Sequence, residues 1–323
     1  MKHKILRYVN RSEKVNRVVD RLDNVRINKK GATLYQVAYI FIKDFERNDI
    51  MERASGVAFS FTLAVFPAAI FMITLIPYVQ VYFPGLTETS VMEFFMALMP
   101  ETMYEAAAAT LQDIVSQKRG GLLSLGAIMA LYLSTNGMMS LIKAFNRCYR
   151  TRDNRGYFKM LLIATILTII LAFALFVAVI LLVVGQAILI KVKDMGLLTQ
   201  DLLYFALVSS RFAVIVIVFF ISISCIYYIA PAVHDRWRFF SAGAFFATGL
   251  SLAVSYSFSF YISNFGTYNK LYGSIGAMIA FMVWLFLLSV IILSGFELNA
   301  SIDKANRLNT QRISENGCED QGG

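Results

Sequence analysis

Charged side chains are missing from six long windows of this chain, 54–87, 120–142, 160–190, 212–234, 239–269 and 271–296, the shortest of them 23 residues. A helix that crosses a bilayer needs roughly 20 mostly apolar residues, so each window holds one span. Packed helices of a water-soluble protein carry a polar stripe, and MLLIATILTIILAFALFVAVILLVVG at 160–185 has none. One stretch reads differently at first. From Ser255 to Phe260 small polar and aromatic residues alternate, as in a half-buried strand. Hydrocarbon does not tolerate an open sheet edge, and the neighbouring runs are too long and too uniformly apolar for barrel strands. Residues 251–263 are therefore helical. Their informative spacing is four: Gly243, Ala247, Ser251, Ser255, Ser259 and Ser263 form an unbroken run of small side chains.

The pattern predicts an all-α membrane bundle with spans at about 56–79, 121–145, 160–186, 208–230, 239–263 and 276–296. Before the first span, Leu34, Val37, Ala38, Phe41, Ile42 and Phe45 recur at helical spacing among charged residues. This is an amphipathic helix, and two placements stand: flat in the inner interface, or packed on the ends of the bundle. Residues 83–119 are too polar to span and read as two short helices forming an external cap. NFGTYNKLYGSIG, 264–276, reads as an outer turn, with 1–31 a basic N-terminal segment, 32–301 the membrane domain and 302–323 a disordered tail.

Charge orients the bundle. The chain has 323 residues, 58% hydrophobic and 16% charged, with mean hydropathy +0.61. Residues 1–55 hold 13 Lys or Arg against seven acids, and 143–159 hold six against one, whereas 83–119 hold two against five. The excess of basic residues inside places both termini in the cytoplasm. The net charge of +9 is then a topological bias rather than a nucleic-acid surface. Cys148, Cys225 and Cys318 fall on or near that same side, where disulfides are not expected, and their spacing fits no metal site. With His3 and His234 the only histidines and no phosphate-binding loop, the sequence offers no signature of a nuclease, an ATPase or a cofactor enzyme.

Polar and helix-breaking residues inside the windows are the candidate functional positions. Pro67 sits in the middle of the first span, where it removes a backbone donor. Ser134 and Asn136, in the STNG of the second span, place polar groups where water is scarce. The seam Gly243, Ala247, Ser251, Ser255 and Ser259 is either a close helix contact or a polar stripe along a passage. Glu297 ends the last span beside many arginines, either as a wetted helix end or paired with Arg147, Arg236 or Arg238, the reading that the family resemblance given below favours.

These segments resemble the YihY/BrkB family of bacterial inner-membrane proteins. The resemblance rests on FSFTLAVFPAAIFM at 59–72, LIKAFNRCYR at 141–150 and the long run from Arg236 to Ser301. It singles out Phe66, Pro67, Asn146, Tyr272, Gly273, Ser274, Gly276, Gly295, Glu297, Leu298 and Asn299, with Phe296 where members often carry alanine. It implies a six-span protein. It also implies a link to envelope lipids, and an old ribonuclease BN label in the family that is regarded as a misassignment.

The expected function is therefore transport or flipping of a lipid-like or amphiphilic envelope molecule, with no cofactor. Membrane lipids, an amphiphilic substrate and a second copy of the chain are the expected partners, and nucleic acid is not. A non-catalytic scaffold that keeps the envelope intact is the alternative reading, and a membrane enzyme comes third.

Overall fold

The computed structural model describes residues 32–79, 89, 92, 108–109, 112–148, 154–194, 200–232, 239–264 and 266–319. Their long helices, in order, are α1 (Leu34–Arg47), α2 (Ile50–Val79), α3 (Gly120–Cys148), α4 (Tyr157–Asp194), α5 (Gln200–Ile229), α6 (Ala242–Asn264) and α7 (Gly266–Glu319). Helices α2 to α7 are the six that are long and apolar enough to cross a membrane. The fold is an all-α membrane bundle. The segment 1–31 and about two thirds of the expected cap over 83–119 lie outside the described residues.

α1 begins at a capping box. Thr33 Oγ1 accepts from the Gln36 backbone N–H at 3.3 Å, and Gln36 Oε1 accepts from the Thr33 N–H at 3.5 Å. It ends at Asn48, whose N–H bonds Asp44 O at 2.9 Å, and Asp49 follows with φ 48°. A short polar side chain tolerates that left-handed conformation, so the chain turns there directly into α2. Of the two placements open to α1, packing on the bundle is the one found. Ala32 and Val37 are buried against Ala305 of α7, with Ile40, Leu298 and Ile302 around them.

Two expectations are corrected by the backbone. α7 begins at Gly266, so Gly273 and Gly276 lie within it rather than in a turn. A glycine costs a helix about 1 kcal/mol, whereas a backbone polar group left unpaired in hydrocarbon costs several. The helix continues. Residues 302–319 are likewise helical rather than disordered. Lys304 Nζ pairs with Asp44 at 2.6 Å, and Asn309 Nδ2 donates to Gln36 Oε1 at 3.1 Å, so α1 holds this polar extension in place.

Each span packs on the next in chain order, and α7 closes the circuit against α2 while also touching α3. The main core occupies one end of this ring, the end at which α1 lies. It gathers Ile50 and Ala54 of α2, Met138 to Cys148 of α3, Leu167 of α4, Ile223 to Tyr227 of α5, Ala247 of α6 and Leu293 and Phe296 of α7. At its centre Phe145 stacks on Phe296 with centroids 4.1 Å apart, and Tyr227 meets both rings edge-on at 5.8 Å.

α6 and α7 approach within backbone contact. A Cβ on Gly243 would overlap the Gly295 carbonyl oxygen and come 2.7 Å from the Asn299 side chain. One on Gly295 would lie 2.7 Å from both Ala247 Cβ and Gly243 O. Gly295→Ala and Gly243→Ala should each lower stability by about 1–3 kcal/mol, read as an earlier melt of the detergent-solubilised protein. Gly249→Ala, on the open side of α6, should stay within about 0.5 kcal/mol of the parent.

Candidate functional site

The residues that carry chemistry converge within one turn of Gly295. Asn299 Oδ1 accepts from the Gly243 backbone N–H at 2.7 Å, and its Nδ2 donates to Ser241 Oγ at 2.9 Å. Ser241 Oγ in turn accepts from Ala244 N–H at 3.2 Å. The first turn of a helix leaves backbone donors without partners, and here a side chain from α7 supplies one of the acceptors for α6. On the other side of Gly295, the Tyr227 hydroxyl donates to Ile292 O at 2.6 Å, and the Phe296 backbone N–H bonds to the same hydroxyl oxygen. Tyr227 thus ties α5 to the backbone of α7 at this turn.

Glu297 faces the opposite way, toward α1 to α3. Its side chain is 1% exposed, and Asn48 Nδ2 donates to Oε2 at 3.1 Å. The Cys148 thiol lies beside it and accepts from Arg53 Nη1 at 3.6 Å on its far side. Asp44 is close too, but it is paired with Lys304. Glu297 makes no ion pair among the described residues. Of the expected arginine partners, Arg147 is exposed on α3, and Arg236 and Arg238 lie outside the described residues.

The remaining candidates lie on α2, α3 and α6. Gly243, Ala247 and Ser251 are buried on α6, Ser255 is half-buried and accepts from Trp284 Nε1 of α7 at 3.2 Å, and Ser259 is exposed. The seam therefore opens away from the α1 end. Ser134 and Asn136 are half-buried on α3. Where α3 meets α2, a Cβ on Gly137 would stand 2.9 Å from the Phe61 ring, and Ser60 and Ser140 hydroxyls meet at 3.3 Å. Pro67 is half-buried within an unbroken α2, and Phe66 beside it is exposed. Asn146 accepts from the Ala232 N–H at 2.9 Å and so fastens the turn after α5.

Sequence reasoning missed Asn48 and Tyr227. Thr135, between Ser134 and Asn136 in STNG, is buried with its hydroxyl unbonded. Asn48 looked like one more polar residue of a charged helix, and only the fold puts it opposite Glu297, 249 positions away. Asn48→Ala should destabilise the protein by about 1–3 kcal/mol in a denaturant titration, because a buried oxygen loses its donor. Arg147→Glu should leave the midpoint unchanged.

The chain matches the family model described as Virulence factor BrkB over residues 41–316. It is 33% identical over 273 residues to a protein whose name calls it ribonuclease-like, YfkH of Bacillus subtilis (strain 168), covering 83% of this chain and 97% of that one. It is 28% identical over 277 residues to a UPF0761 membrane protein of Chromohalobacter salexigens, covering 82% of this chain and 63% of that protein. A UPF0761 membrane protein of Tolumonas auensis is 27% identical over 184 residues, 55% of this chain and 57% of its own length. The chain thus spans less than two thirds of these two membrane relatives, though nearly all of YfkH. No solved structure matches it. This chain belongs to the YihY/BrkB (UPF0761) family of multi-pass membrane proteins.

Proposed function

We propose that this protein moves a lipid-like or amphiphilic molecule through the ring formed by α2 to α7. The observation that carries the reading is the uneven packing of that ring. One end is filled by the core around Phe145, Tyr227 and Phe296, while the helices leave it with large apolar side chains uncovered. On α5, Phe205 (68% exposed), Phe212, Ile215, Ile217 (54%) and Ile221 are all uncovered. At 3.6 residues per turn they cover roughly two thirds of the helix circumference. One arc of that surface faces the bilayer and the rest faces the ring, and its apolar character suits an acyl chain better than a hydrated ion.

Beyond the Tyr227 contact the α7 segment from Phe296 onward packs on α1 and α6. In this reading a bend of α7 near that contact lets the preceding segment swing. The competing reading is a non-catalytic scaffold, favoured by the backbone contact of Gly243 with Gly295. YfkH carries a ribonuclease-like name, but among the described residues no group of three or more His, Cys, Asp or Glu could hold a metal ion.

Reconstitution decides between transport and scaffold. Vesicles with purified protein and a fluorescent phospholipid, lysophospholipid or polyprenyl phosphate should lose more than half their fluorescence to an impermeant quencher. Protection equal to that of empty vesicles for all three probes would leave the scaffold. Tyr227→Phe removes the bond that ties α5 to Ile292 of α7, so it should slow flipping several-fold. Both termini are proposed to be cytoplasmic. In a cysteine-free background, single cysteines at 95, 200 and 268 should react with an impermeant reagent on intact cells, and one at 153 should not; labelling at 153 reverses the topology.

A further inference from the structure

Aromatic rings of α5 and α6 meet on the outside of the ring of helices, near its α1 end. The Phe220 ring of α5 stacks on Phe240, just before α6, at 5.6 Å and lies 4.6 Å from that of Phe245 on α6. Phe240 meets Phe239 edge-on at 5.4 Å, and Phe239 reaches back to Tyr228 of α5 at 6.3 Å. The five rings form one connected surface across the two helices. They are not core: Phe240 is 68% exposed, and Phe245 and Tyr228 are each 61% exposed. The packing of α6 explains why. Gly243 is held against Gly295 and bonded to Asn299, and Phe245, two residues on, is turned about 200° away from that contact.

On a helix that crosses the bilayer, such a surface faces lipid, and it continues into the uncovered Ile217 and Ile221 of α5. The usual aromatic belt at a membrane boundary is Trp and Tyr, whose polar tips stay at the water. Here four of the five rings are Phe, which has no such tip. Positive charge stands beside them. Arg155 Nη2 donates to Ala230 O at 3.0 Å, two residues beyond Tyr228. Arg238 is bonded directly to Phe239, one Cα step of about 3.8 Å. Arg236 comes two residues earlier, with Asp235 the one acid between Pro231 and Phe239. An apolar surface in the bilayer with cations at its edge matches a lipid whose phosphate carries a net negative charge. We propose that the α5–α6 aromatic surface binds an anionic phospholipid of the leaflet on the α1 side, with an acyl chain on the rings and the headgroup within reach of Arg238.

The docking surface stands by itself. Its use as the place where the moved molecule loads rests on the transport reading above, and narrows that molecule to an anionic phospholipid.

The test titrates full-length protein in detergent with phosphatidylglycerol or phosphatidylethanolamine of identical acyl chains, and counts bound lipid by native mass spectrometry. Phosphatidylglycerol should be retained at least fivefold more strongly. Phe240→Ala combined with Phe245→Ala should lower that retention at least fivefold. Phe173→Ala, at a residue 64% exposed on α4, should leave it unchanged. Arg238→Gln should bring phosphatidylglycerol down to the level of phosphatidylethanolamine. In the unmutated protein, phosphatidylglycerol with a photoreactive acyl chain should crosslink within 239–245. Equal retention of the two lipids overturns the proposal, as do crosslinks spread evenly over the spans or retention unchanged in the double variant. A dimer that the double variant dissolves also overturns it, because the occupant is then a second copy. The flipping assay separates the two readings. Selective binding without flipping sinks transport and keeps the surface; flipping undiminished in a double variant that no longer binds keeps transport and overturns the loading role.

Discussion

The approach of α7 to α6 at Gly295 and Gly243 is the contact on which the rest depends. Two helices normally stay 8–10 Å apart because their side chains hold them there. Here a Cβ on either glycine would overlap the other helix. Lipid gives little hydrophobic drive to bring helices together, so close van der Waals packing of small residues has to supply it. Once the backbones meet, Asn299 reaches the Gly243 N–H across the crossing, and Tyr227 reaches Ile292 O from α5. An alanine at position 295 would meet Tyr227, Ala247 and Gly243 and push these contacts apart.

That crossing also sets the direction of Glu297. It lies two residues beyond Gly295, which turns it away from α6 and toward α1, α2 and α3. Phe296, between them, fills the centre of the core against Phe145 and Tyr227. Three consecutive residues of α7 therefore face three different neighbours. A narrow contact, an aromatic core and a buried carboxylate follow from one stretch of helix, and α1 locks the polar extension of that helix through Asp44 and Lys304. The α1 end is the rigid part of the molecule. The uncovered apolar surface of α5 belongs to the other part, where a moving amphiphile would need room.

The six spans and their all-α character were legible in the sequence because the bilayer applies one rule to each segment separately. A stretch without charge of sufficient length must satisfy its own backbone, and a helix does so with local bonds alone. The run of small residues from Gly243 to Ser251 was legible for a similar reason, since a spacing of four marks one face of a helix whatever it meets. The same local rule misjudged 264–276 and 302–319. Glycines and polar residues suggested a turn and a tail there, but α7 runs through both. In the second case α1 provides a surface that no local pattern shows.

What only the tertiary structure decided is which face meets which. Sequence placed Glu297 at a helix end near many arginines, and long-range attraction between opposite charges made one of them its natural partner. Packing chose the Asn48 amide instead, from a corner created by the left-handed backbone of Asp49. It also set Tyr227 against α7, where a tyrosine among the isoleucines of α5 had looked like ordinary apolar filling. Hydrophobicity acts on each segment by itself and is therefore written along the chain. Hydrogen bonds between segments depend on distances of a few tenths of an ångström, and those exist only once all seven helices are in place.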